Sequence, residues 1–133
     1  MPACGAEYQV RTVSEDYTDL WTNAALAAAY QANLERLGRI ISATPDAVPG
    51  STDMGNVSKL VPAIHPMIAI APPRVALHTT EFAEYAASES GQRGVLDGAK
   101  VLAMTAIDVL CEAGLLEAMR AAFADQQSGA QRG

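Results

Sequence analysis

The first residues alternate, with Tyr8, Val10 and Thr12 set against Gln9, Arg11 and Val13, and this period of two predicts a half-exposed strand over residues 4–13. The acidic turn Ser14-Glu15-Asp16 ends it. From Thr22 to Leu37 the spacing changes: Leu26, Tyr30, Leu34 and Leu37 form the stripe of an amphipathic helix, with Thr22 or Asn23 as its cap and Gly38 as its stop. Arg39 to Ser42 reads as a short strand. A stretch dense in turn formers then runs from Thr44 to Asn56, the pattern of an ordered functional loop or a plain linker.

A short helical turn near Val57 to Val61 leads into Ala63-Ile64-His65-Pro66-Met67-Ile68-Ala69-Ile70. That run is apolar on both faces, as in a strand inside a helix-covered sheet, although Pro66 opposes a regular centre. Thr79 or Thr80 caps the next helix, where Glu81 and Glu84 suit the positive end of the macrodipole and Phe82 and Tyr85 fill one side. A long helix starts between Ser90 and Arg93. Its stripe of Val95, Ala99, Leu102, Ala106 and Val109, flanked by Leu96, Ala103, Ile107 and Leu110, is wide enough to be buried against a sheet or another helix. Gly114 breaks it, a final helix carries Leu115, Leu116, Met119 and Phe123, and residues 126–133 read as a frayed polar tail.

The succession is α/β, with helices covering a small sheet, and three short strands are too few to complete that sheet. Alanine is nearly as common as leucine, isoleucine, valine and phenylalanine together, so the interior is expected to pack small side chains closely. The net charge of -6 and the lack of a basic cluster exclude a nucleic-acid partner. The apolar run from Ala63 to Ala76 is broken by His65, Pro66, Pro72, Pro73 and Arg74, so no membrane span is expected. Met1-Pro2-Ala3-Cys4-Gly5 shows no secretory signal, and Cys4 and Cys111 lie far apart without a CxxC pair. Structural free thiols in a reducing cytoplasm are the expectation.

Candidate chemistry is sparse. With only two histidines a self-contained His-rich metal site is excluded, and no HxH, HExxH, CxxC, P-loop or GxSxG pattern is present. The loop Gly50-Ser51-Thr52-Asp53-Met54-Gly55-Asn56 can aim N–H groups and hydroxyls at a carboxylate, although on composition alone it reads more readily as a helix-capping turn. His78 stands where Val75-Ala76-Leu77 meets the Thr79-Thr80 cap, a loop position from which an imidazole can ligate zinc or serve as an ordinary surface or core residue. His65, between Ile64 and Pro66, reads as a hydrogen-bonded core residue.

Together, Gly50 to Ser58, Val61 to Pro66, Leu77-His78-Thr79, Phe82-Ala83-Glu84 and Asp97 to Ala106 resemble the C-terminal third of a zinc-dependent amidohydrolase of metallopeptidase family twenty. That group includes aminoacylase, carboxypeptidase G and the p-aminobenzoyl-glutamate hydrolases, and the nearest likeness is to its dipeptidase-like branch. The resemblance covers nearly the whole chain. It implies residues 1–15 as the end of a lid-domain strand, residues 16–127 as the C-terminal segment of a catalytic domain with a three-layer, zinc-exopeptidase-like fold, and residues 128–133 as a flexible tail. It further implies two zinc ions activating a water that attacks an amide carbonyl, with His78 as the last metal ligand. Ser51, Thr52, Asp53, Gly55 and Asn56 fall in the family's substrate-holding loop.

The family's other metal ligands and its general base precede the lid, and the chain has no counterpart of them. The expectation is therefore the C-terminal portion of a hydrolase for an N-acyl amino acid or dipeptide, inactive alone and partnered by the missing N-terminal segment or by self-association. The alternative is a non-catalytic binding or assembly module, or a remnant of a disrupted gene, that keeps the fold.

Overall fold

The computed structural model describes residue 5, residues 7–41 and residues 52–130. Five helices follow one another: α1 (Ala24–Arg36), α2 (Met54–Ser58), α3 (Thr80–Ala87), α4 (Glu89–Cys111) and α5 (Ala113–Ala130). Helix α4 is the spine, packed against α1, α3 and α5, and α1 also packs on α5.

The expected cap and stop of α1 are both present. Asn23 accepts from the Leu26 N–H, and Gly38, at φ 74°, lets its own N–H reach the Glu35 carbonyl while Arg39 N–H reaches Leu34. This is a Schellman ending, which a β-carbon at Gly38 would strain. The buried face of α1 centres on Tyr30 and Asn33, with Leu26, Leu34 and Leu37 half-buried beside them. Thr79 caps α3 by accepting from Phe82 N–H, and Ser88 both ends α3 and caps α4.

Three expectations change. Among the described residues no strand forms: residues 7–13 and 39–41 take part in no bridge, and the run 63–70 contributes one isolated parallel bridge, Ala63 with Thr22. A strand needs a neighbour along its length, and among the described residues only Ala63 at the start of the last run has one. The sheet expected from the pattern is therefore reduced to side-chain docking. Ile70 and Ile68 press against α4 at Gly94, where a β-carbon would overlap the Ile70 side chain, and at Gly98. Residue 42 and the start of the first expected strand lie outside the described residues.

Second, α4 buries a different face from the one expected. Gly91, Gly94, Val101 and Thr105 point inward, whereas Val95, Leu96, Leu102, Ile107 and Leu110 are 57–84% exposed. The buried side runs next to the polar residues Asp97 and Asp108, while the apolar stripe stands uncovered, so the stripe marked an apolar face without saying what would cover it. Third, the break between the last helices falls at Glu112, and α5 includes Gly114 and continues to Ala130. The Gln126 amide donates to the Thr22 carbonyl at 3.0 Å and ties the expected tail to the start of α1.

Candidate functional site

Of the substrate-loop candidates, Ser51 lies outside the described residues, and the other four form one turn at the start of α2. Thr52 Oγ1 donates to Asp53 Oδ1 at 3.3 Å and accepts from Met54 N–H, while its carbonyl accepts from Gly55 N–H. The Asp53 carboxylate is otherwise exposed. Asn56 is fully occupied: its Oδ1 accepts from both Thr18 N–H (2.9 Å) and Thr18 Oγ1 (3.2 Å), and its Nδ2 donates to the Asp16 carbonyl. Ser58, completely buried, accepts from Trp21 N–H and donates to the Gly55 carbonyl at 2.6 Å.

Gly55 shows why this works. A β-carbon there would overlap the Thr18 carbonyl, so glycine allows α2 to lie directly on residues 16–21. Lys59 closes the clamp by donating to Asp19 Oδ1 at 2.8 Å with its ammonium 3.7 Å from the Trp21 ring centre. The Lys59 hydrogen bond holds the Asp19 carboxyl below its ordinary value. Asn56 and Gly55 thus position the loop, and Thr52 and Asp53 take no part in that clamp.

His78 is exposed and sits at φ 62°, the one non-glycine residue at positive φ among those described. That region is sparsely populated for side chains with a β-carbon, although histidine enters it more readily than most. The surroundings hold it there. Thr79 Oγ1 donates to the Ala76 carbonyl while capping α3, Val75 N–H reaches the Pro72 carbonyl, and Arg74 pairs with Glu81 at 2.7 Å across the turn. The imidazole makes no hydrogen bond among the described residues, and none joins it to the 52–59 loop.

Zinc in a catalytic site takes three protein ligands or more. Among the described residues no group of three His, Cys, Asp or Glu side chains is close enough to hold a metal. His78 fits one ligand of a larger set, and these residues do not by themselves make a site. Cys111 is exposed. His65 departs from expectation: exposure alternates along residues 63–70 and turns it outward, where it lines a cavity of about 820 Å³ with Tyr30, Leu34, Ile40 and Ile41.

No family model matches the chain. Among curated proteins it is similar to the Xaa-Arg dipeptidase of Mus musculus, 40% identical over 124 residues, and to that of Homo sapiens, 39% identical over 124 residues. Each alignment covers 91% of the chain. That likeness supports a dipeptidase-like peptidase family. The chain spans 28% of the length of these dipeptidases. No described helix is long and apolar enough to cross a membrane.

Sequence reasoning missed the clamp between α2 and residues 16–21. Its signal was present in Asn56, Ser58 and Lys59, polar residues spaced along one short turn, but their partners are some forty positions away. It also missed Asn33, whose Nδ2 donates to Thr105 Oγ1 and to Asp108 Oδ2 and whose Oδ1 accepts from Arg36. An asparagine among alanines on a helix gives no hint of such a role.

Proposed function

We propose that the chain is the C-terminal portion of the catalytic unit of a zinc-dependent amidohydrolase that cleaves a dipeptide or an N-acyl amino acid. The observation that carries this reading is the 40% identity to a dipeptidase along 91% of the chain, which includes both the loop and His78. In this reading bound zinc, when present, would supply the Lewis acid that activates water and polarises the amide carbonyl. His78 would offer one imidazole nitrogen to the metal, and the hydrogen bonds around its positive-φ turn, Thr79 Oγ1 to the Ala76 carbonyl among them, support that role by fixing its backbone. Ser51, Thr52 and Asp53 are the substrate-binding residues of this reading, and Asn56, Gly55 and Lys59 keep residues 52–59 seated on residues 16–21. The remaining ligands and the general base come from outside the chain. The relatives' name makes dipeptides ending in arginine the first substrates to test.

The test compares zinc-dependent hydrolysis by the chain alone with hydrolysis after co-expression with the unmatched portion of the mouse dipeptidase. The chain alone is expected to be inert, and the complemented pair active and dependent on His78. Amide hydrolysis by the chain alone, abolished by His78→Ala, would overturn the division of the site. Complemented activity indifferent to His78→Ala would overturn the ligand assignment. A stable but inert complex would favour the binding or assembly module.

A further inference from the structure

Residues 77 and 78 form the centre of a turn that runs from Ala76 to Thr79, and His78 holds its third position at φ 62°. Glycine or asparagine is the usual occupant of such a place, so a histidine kept there is held by its neighbours. Two ties reach around it. Arg74 pairs with Glu81 at 2.7 Å, but the two side chains are 68% and 47% exposed, and an ion pair so open to water contributes little.

The second tie is closer. Thr79 Oγ1 donates to the Ala76 carbonyl at 2.8 Å and accepts from Phe82 N–H at 3.2 Å, so one hydroxyl closes the turn behind His78 and caps α3 ahead of it. The chain on the near side is fixed as well, since Val75 is buried and its N–H donates to the Pro72 carbonyl at 2.9 Å. His78 is therefore carried between two anchored points, and the Thr79 hydroxyl is the side-chain group that spans it.

We propose that Thr79 is a positioning residue for His78: its hydroxyl holds the left-handed turn that presents the imidazole to the metal, a role that rests on the ligand assignment made under Proposed function. Thr79 acts through the backbone of His78 and touches neither metal nor substrate. A ligand works only near its productive direction, and groups that merely orient one change metal affinity by about 10–100-fold. The two tasks of the hydroxyl separate chemically. Donation to Ala76 needs an O–H, whereas capping needs only an oxygen that accepts. Serine supplies both, aspartate supplies the cap alone, and valine supplies neither.

The test uses the complete 133-residue chain, alone and co-expressed with the unmatched portion of the mouse Xaa-Arg dipeptidase. In the chain alone, a strong intraresidue NOE between the His78 amide and its Hα reports the positive φ. The parent and Thr79→Ser are expected to show it, and Thr79→Asp and Thr79→Val to lose it. Because aspartate keeps the α3 cap, the comparison stands even where the valine variant fails to fold. In the complex, zinc affinity measured by competition with a chromophoric chelator should fall at least about tenfold for Thr79→Val and stay within about threefold of the parent for Thr79→Ser. A positive φ at His78 that survives in Thr79→Asp overturns the proposal. So does a complex whose zinc affinity responds to His78→Ala but not to Thr79→Val, a result that leaves the ligand assignment standing. Zinc affinity indifferent to His78→Ala overturns the ligand assignment and this proposal with it.

Discussion

Asn23 is completely buried and performs two separable tasks with one side chain. Its Oδ1 caps α1 by accepting from Leu26 N–H at 3.1 Å, and its Nδ2 donates to the Met119 carbonyl of α5 at 2.9 Å. An N-cap contributes about 1 kcal/mol, and a buried neutral hydrogen bond about another 1 kcal/mol, with more when a buried group is left unpaired. Asn23→Ala loses both and should cost about 2–3 kcal/mol. Asn23→Ser restores the cap oxygen without reaching α5 and should recover about 1 kcal/mol of that. Asn23→Asp is the decisive variant. Aspartate caps as well as asparagine in an isolated helix, but here it sets a carboxylate against the Met119 carbonyl, so it should be no better than alanine. Urea unfolding followed by circular dichroism at neutral pH reads the series, and with slopes of about 1–3 kcal/mol/M the alanine variant's midpoint falls by about 1 M or more. An Asn23→Asp variant as stable as the parent would show that the tie to α5 contributes nothing, and the reasoning would fail.

Two further outcomes follow from the surface. Because the Lys59 hydrogen bond holds the Asp19 carboxyl below its ordinary value of 3.8, what this ion pair contributes is present above that value and is lost as pH falls through the lower, folded one. Trp21, the sole tryptophan, should report the release as a fluorescence change confined to pH below about 3.8, and Lys59→Met should abolish that step; an identical step in the variant would rule the pair out. The outward face of α4 exposes Val95, Leu96, Leu102, Ile107 and Leu110, and a patch of that kind associates. Sedimentation velocity should show concentration-dependent self-association that Leu102→Glu with Leu110→Glu removes without loss of helical signal, and a parent chain monomeric at every concentration would refute it.

What the sequence made legible is what neighbouring residues decide. The cap at Asn23, the stop at Gly38 and the cap at Thr79 depend on a few residues in a row, and all three are where the pattern put them. The strand at 63–70 was readable as a pattern and absent as a strand because pairing is a property of two segments. The buried face of α4 was misread because the pattern marked an apolar stripe, whereas the chain covers the neighbouring side that carries Val101 and Thr105 beside Asp97 and Asp108. Of the candidate site, the loop and His78 stood out by residue type and by resemblance. Asn56's role as a fastener became visible only when the fold brought Asp16 and Thr18 beside it.

The buried side chains bear on how the chain is built. Among the described residues the buried apolar set is Tyr30, Ala63, Val75, Val101 and Met119, and the buried polar set is Asn23, Asn33, Ser58 and Thr105. Each of those four polar side chains has a hydrogen-bond partner distant in sequence: Asn23 with Met119, Asn33 with Thr105, and Ser58 with Trp21. A core so evenly divided gains its uniqueness from satisfied polar pairs, while non-directional burial supplies less than usual. The apolar surface that would ordinarily supply it stands outside, on α4 and along the cavity beside residues 64–67. Covering those two surfaces would add hydrophobic stabilisation without disturbing any of the polar ties, since none of the tied atoms lies on either. The geometry of the clamp, the His78 turn and α1 is therefore set within the chain, and a partner that covers the apolar faces stabilises that arrangement without having to create it.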